Sequence, residues 1–312
     1  MKKLALLAAL AVYVSAASAH VPEGQVWNAF QWPDSHVPTL DGNLSEWEIV
    51  PDDYEITLED HLDSNGEGSY NFESLNIRMI VGYNASDDKI YFMSERFDDF
   101  YDRNGAEGGA GGDDSWEMHH DGDHAGDDMW VSGDDFPDAD ERSLNMGRFA
   151  QGYHTRFPEL PGSTGEGGST WAWFWMQSNS DWHDKPEYMD YGFTIDGNLN
   201  DGPATTYVEF NRVSWDEFLW NDEAGSVIHD FVEGEVVGFG WMIVDHGLGD
   251  LDSTGENTSK NWFISGASDA WRTTASATDF YLAPLDPRVD FDSVPSAVEE
   301  QSWGRIKEGF LR

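Results

Sequence analysis

From residue 75 to 83 every second side chain is apolar: Leu75, Ile77, Met79 and Val81. Side chains alternate across a strand, so this spacing sets all four on one face of an extended segment. A turn over 84–88 and an apolar stretch over 89–95 complete a predicted β-hairpin. The same pattern recurs along the chain, with strand-length apolar stretches separated by Gly, Asp and Asn clusters that supply turns. Further strands are predicted over 115–120, 146–157, 171–176, 191–196, 205–212, 236–245, 262–264 and 279–282. Residues 20–36 read as a lead-in segment or edge strand, and 213–220 as a short helical turn. No long amphipathic helix interrupts the series. The predicted fold is all-β: a two-sheet antiparallel β-sandwich, jelly-roll or immunoglobulin-like, with long acidic loops and a short C-terminal helix.

The ends of the chain are different in kind. Lys2 and Lys3, an apolar run from Leu4 to Val14, and Ala17-Ser18-Ala19 make residues 1–19 a predicted signal peptide. The protein is therefore expected to be secreted, extracellular, cell-surface or periplasmic. No later stretch has the roughly 20 apolar residues of a membrane helix, so no membrane span is expected. The β domain is placed at 20–286, followed by a linker at 287–295 and a helical tail at 296–312. In that tail Val298, Trp303, Ile306 and Phe310 recur at helical spacing, and Arg305, Lys307 and Arg312 make it comparatively basic. Two roles fit it: packing on the domain, or a sorting and anchoring peptide read by export or cell-surface machinery.

Charge narrows the partners. Sixty acidic side chains against 17 basic ones give a net charge of −43. Such a chain repels phosphate backbones and anionic lipid, which excludes nucleic acid as a partner. It is not a disordered acidic segment, because 39% of it is hydrophobic and 14% aromatic. The acids concentrate in loops, notably 98–141, as suits a halophilic-like surface or calcium-containing surroundings. With no Cys, disulfides and thiolate metal sites are ruled out.

The loop 121–128 is dense in oxygen ligands. Asp121, Asp123, Asp127 and Asp128 around a Gly turn suit Ca²⁺, which takes 6–8 oxygens. A solvated acidic turn is the alternative. Asp245, Asp250 and Asp252 form a second, sparser group. Cleavage after Ala19 would make His20 the first residue, able to chelate copper with a second histidine such as His119, His120 or His246. His119 and His120 fall on opposite faces of a strand and do not share an ion, and His120 belongs with the apolar Trp116 and Met118. No nucleophile elbow, phosphate loop or zinc-protease motif occurs, so no enzyme activity is expected.

Six landmarks follow one another in order: PTLDGNLSEW, the hairpin LNIRMIVGYNASDDKIYFMSE, DDSWEMHHDGD, YVEFNRVSW, VVGFGWMIVDH and SDAWRTTASATDFYLAPL. Together, over about residues 38–285, they make the chain resemble the family 9 carbohydrate-binding modules and their haem-binding, DOMON-like β-sandwich relatives. The resemblance implies a secreted, non-catalytic protein that binds a poly- or oligosaccharide by aromatic stacking. It assigns ligand contacts to Glu117, in the frame Asp114-Ser115-Trp116-Glu117, and to Trp271 with Arg272. The chain departs from the pattern at Gly108 to Gly112, where a second platform Trp is expected, and at Met242, where a Gln is expected. It also carries an aromatic insertion at 157–190, whose Trp171, Trp173, Trp175 and Trp182 are candidates for rebuilding the aromatic surface or for covering a sheet face. Calcium is the one cofactor expected. Alternative readings are a cell-surface or matrix structural protein on a sandwich scaffold, a copper oxygenase built on His20, and a non-covalent haem-binding electron-transfer subunit.

Overall fold

The computed structural model describes residues 22–63, 68–103, 114–157, 171–172, 181–245 and 260–293, apart from 23, 69, 268, 270 and 271. The predicted signal peptide, His20, His246, Asp250, Asp252, Trp173, Trp175, Trp271 and the tail 296–312 lie outside the described residues.

Fifteen strands are present among the described residues. The first five are β1 (Val26–Gln31), β2 (Ile56–Thr57), β3 (Leu62–Asp63), β4 (Leu75–Asn84) and β5 (Lys89–Asp98). The next five are β6 (Ser115–Asp121), β7 (Gln151–Thr155), β8 (Trp171–Ala172), β9 (Met189–Gly197) and β10 (Ala204–Val213). The last five are β11 (Trp215–Glu217), β12 (Val227–Ile228), β13 (Val236–Asp245), β14 (Lys260–Phe263) and β15 (Thr278–Leu282). One short helix, α1 (Ala139–Asn145), is capped by the Asp138 side chain, which accepts from the amides of Asp140 and Glu141. No helix among the described residues is long and apolar enough to cross a membrane.

The hairpin β4–β5 forms as its alternation predicts, with Asn84 opposite Lys89. Asn84 closes the turn by accepting from the Ser86 and Asp87 amides at 2.9 and 3.0 Å. Strand pairing then runs β8-β7-β6-β13-β15-β1-β4-β5-β10-β9. Here the all-antiparallel expectation needs correction. Strand β1 runs parallel to β15 along Val26–Ala29 and then parallel to β4 at Phe30 and Gln31. It is therefore not an edge strand: both its backbone edges are used, and it joins the two halves of the pairing order. The stretch 213–220 is also corrected. It is extended, because the Gln151 amide bonds both the Trp215 N–H and the Trp215 carbonyl at 3.0 Å, imitating a neighbouring strand.

Side chains from the two halves meet in one core. Phe92 on β5 lies 5.6 Å from Trp116 on β6 and 5.5 Å from Trp241 on β13, both edge-to-face. A second apolar cluster covers part of the opposite face of β4 and β5. There Leu44, Trp47, Val50 and Tyr54, carried by 3-10 turns, pack on Ile80, Tyr91 and Met93. Phe291 joins this cluster through Phe30, and Arg288 pairs with Asp286 and Asp53, so the part of the stretch read as a linker up to Phe291 packs on the domain.

Candidate functional site

Strand β6 sorts its residues cleanly. Trp116 and Met118 enter the core, and His120 sits edge-on to Phe239 at 4.8 Å and Tyr153 at 5.4 Å. Burial, with the Arg212 charge adding to it, holds the His120 imidazole well below its ordinary proton affinity, so it is a neutral core ring. The other face of β6 presents Ser115, Glu117, His119 and Asp121, all buried.

Cross-strand register arranges groups around that polar strip. Glu117 stands opposite Met242 on β13 and His154 on β7, and His154 stands opposite Trp171 on β8. Glu117 Oε1 is 3.1 Å from His154 Nδ1. The His154 Nε2 is buried without a hydrogen-bond partner. His119 lies between Gly152 and Gly240. A Cβ at Gly240 would meet the His119 Nε2 at 2.5 Å, so the imidazole occupies the space a side chain would take. Gly240 of the VVGFGW stretch is in this sense part of the site. Met242, where the family pattern has Gln, is the direct neighbour of Glu117 and brings Phe263 next to it in the same row.

The acidic loop is organised from Asp121. Its carboxylate accepts from the Ala125 and Gly126 amides at 3.2 and 2.7 Å and from the Thr274 hydroxyl at 2.8 Å. Burial and the Asp121 carboxylate raise Asp123 to about 6, and burial with Asp121 and Asp128 also raises Asp127. The backbone carbonyl of Arg272 accepts from Met129 and Trp130, so the exposed Arg272 is carried on this loop. No hydrogen bond or ion pair joins it to Glu117 among the described residues. Trp182 is held differently. It stacks on Phe218 at 4.9 Å, meets Trp215 edge-on at 5.4 Å, and donates its Nε1–H to the Trp220 carbonyl. That geometry is a packed ring at the margin of the core.

A tighter carboxylate group lies at the end of β5. Asp98, Asp114 and Asp245 have ligand oxygens within 4.8 Å of one another, and all three are buried. Arg96 binds Asp98 at 2.6 and 3.0 Å, Asp114 at 2.7 Å and the Val244 carbonyl at 3.1 Å. Burial opposes the guanidinium charge, and Asp114, Asp98 and Asp245 override it and raise its proton affinity. Burial and the Asp98 charge push Asp245 up to about 6. One cation thus faces three carboxylates. Of the two acidic groups, this is the one whose three carboxylates are all buried and have oxygens within 4.8 Å of one another, the arrangement that could hold a hard oxygen-liganded cation. Arg96, Asp98 and His154 were not singled out from the sequence. Arg96 and Asp98 had a readable signal, since both fall on the inward alternation that Ile90 and Phe92 begin.

No family model matches the sequence, and no curated protein matches it. The solved structures do give likenesses. The fold is that of the family 9 carbohydrate-binding modules. A family 9 module from Caldicellulosiruptor kristjanssonii in complex with cellotriose superposes with a TM-score of 0.50 at 12% identity, covering 86% of this chain and 99% of that one. The structure of a family 9 module from the same organism in complex with glucose gives 0.47 at 12% identity, covering 84% and 97%.

Proposed function

We propose that this chain is a secreted, non-catalytic carbohydrate-binding protein whose strand halves form the two layers of a sandwich. The observation that carries the reading is the polar strip on β6. Its Glu117 keeps the frame of the family's ligand-contacting Glu, with the His154 imidazole beside it and Met242 opposite it, and the neighbouring His119 fills the space over Gly240. A carboxylate accepting sugar hydroxyls and an aromatic face against the sugar's C–H groups is a general basis for such recognition. Trp271 and the insertion residues Trp171, Trp173 and Trp175 are the proposed stacking rings, and Arg272 a polar contact. Affinity electrophoresis through gels containing soluble β-glucan or xylan tests the reading. Retardation is expected, with Glu117→Ala and Trp271→Ala each weakening it about tenfold or more. Unchanged mobility with every glycan, with and without Ca²⁺, would refute it.

Calcium is proposed as a stabiliser. Asp98, Asp114 and Asp245 would hold one ion, and the loop carboxylates Asp123, Asp127 and Asp128 with Asp121 are the second proposed position. The ion would neutralise carboxylates that otherwise repel. A ligand present at 100 times its Kd adds about 2.7 kcal/mol. EDTA should accordingly lower the melting temperature by about 5 °C or more, reversed by Ca²⁺ and blunted in Asp245→Asn or Asp121→Asn, whichever site dominates. Identical melting in EDTA and in Ca²⁺ would remove the metal from the account.

A further inference from the structure

The face of β4, β5 and β10 turned away from the main core is only partly covered. The 3-10 turns that bury Ile80, Tyr91 and Met93 reach the row of Arg78 and Tyr207, and Phe97 in the row beyond belongs to neither apolar cluster. Those rows are set by register. Asn76, Phe97 and Thr205 stand side by side, and Arg78, Glu95 and Tyr207 form the row beside them. Phe97 and Tyr207 are therefore diagonal neighbours, within reach of one ligand. Between these rows lies a groove of about 280 Å³ lined by Asn76, Ile77, Arg78, Glu95, Phe97 and Thr205. The covering segment forms one wall, from which Glu55 and Glu48 reach the Nε and Nη1 of Arg78. Nη2 of Arg78 keeps its donors for a ligand. Phe97 is only partly buried and belongs to neither apolar cluster.

We propose that this groove is a second carbohydrate site, for a neutral oligosaccharide. Its volume lies just below the range of about 300–1,000 Å³ for ligand pockets, a fit for one or two sugar rings of a longer chain. Phe97 supplies the ring face. Asn76, Arg78, Glu95 and Thr205 supply amide, guanidinium, carboxylate and hydroxyl partners for sugar hydroxyls. Glu48, Glu55 and Glu95 outnumber the single Arg78, so acidic sugars are disfavoured. The site shares its ligand class with the function proposed above and none of its residues, so each is separately removable.

Calorimetric titration with cellohexaose and xylohexaose, paired with amide hydrogen exchange, tests it on the full chain. Two equivalents of ligand are expected, with slowed exchange over 75–78 and 95–98. Phe97→Ala should remove one equivalent or weaken it about tenfold, and Phe97→Tyr should restore it. Both variants should keep the wild-type melting temperature, because Phe97 is outside the apolar clusters. Binding lost in Glu117→Ala and unchanged in Phe97→Ala would overturn this groove and leave the β6 site standing. The converse would overturn the β6 site alone, and no binding of either probe would overturn both.

Discussion

Arg96→Met is expected to be the most damaging single substitution on the sheet. The side chain is fully buried and holds Asp98 and Asp114 by three hydrogen bonds, with Asp245 beside them. Methionine fits the volume and brings no charge. Three buried carboxylates would then lose the guanidinium they share, and the Val244 carbonyl would lose the hydrogen bond that Arg96 donates. Breaking a buried pair from one side costs about 3–5 kcal/mol. That is a large share of a total stability of about 5–15 kcal/mol. Urea denaturation at neutral pH in EDTA should show this loss. Two controls separate charge from packing. Acidification toward pH 5 should restore part of the stability, because protonating the carboxylates removes the repulsion. Arg96→Met with Asp98→Asn should be milder than Arg96→Met alone. A variant within about 1 kcal/mol of wild type at every pH would show that the guanidinium is not the keystone of this group.

The chain's strands were readable because each carries its own two-residue period. The hairpin 75–95, the strand 236–245 and the pair 191–212 need only local alternation and a turn, and all three appear. What local period does not carry is which distant strand lies alongside. Trp27, Phe30 and Trp32 look alike wherever they pair, so local pattern alone reads β1 as a lead-in segment or an edge strand. Its parallel contacts with β15 and β4 are settled by chain segments up to about 250 residues away. The 213–220 stretch failed for a related reason: its Trp215 and Phe218 sit three apart, a helical spacing, and the Gln151 side chain that holds it extended is remote in sequence. The site shows the same division. Alternation alone sorted Glu117 and His119 from His120. The partners of Glu117, namely His154 and Met242, come from strands that only the pairing order brings together. The acidic loop was conspicuous by composition, and the buried trio was hidden because its three members are spread over 148 positions of sequence.

Glu209 is the second place where a buried carboxylate should dominate a measurement. It lies on the face of β10 covered by the PTLDGNLSEW segment and accepts from the Gly42 amide and the Trp47 indole at 2.9 Å each, and from the Asp41 amide at 3.1 Å. Gly192 lets the Asp41-Gly42 backbone come this close, since a Cβ there would collide with both amides. Burial raises the Glu209 carboxyl to about 7, against the pull of its three donors. A folded pKa above the unfolded value contributes stability that is fully present below the unfolded value, about 4.3, and is lost as pH rises through about 7. The full effect is on the order of 3 kcal/mol, of which about 1.3 kcal/mol falls between pH 6 and pH 8. Asp245 and Asp123, raised to about 6, act in the same direction at lower pH. His61 opposes them: burial lowers it to about 4, so its contribution is present above about 6.5 and fades as pH falls through 4. Above pH 7 His61 is neutral and both aspartates are largely charged, which leaves Glu209 as the one of these four groups that still sets the slope. Wild-type stability from urea melts should therefore fall between pH 7 and pH 8. In Glu209→Gln the curve should start lower, because the amide NH₂ faces backbone donors it cannot accept from, and should run flat over the same interval. A wild-type slope that survives in Glu209→Gln would place the alkaline limb in some other group and return Glu209 to an ordinary ionised role at neutral pH.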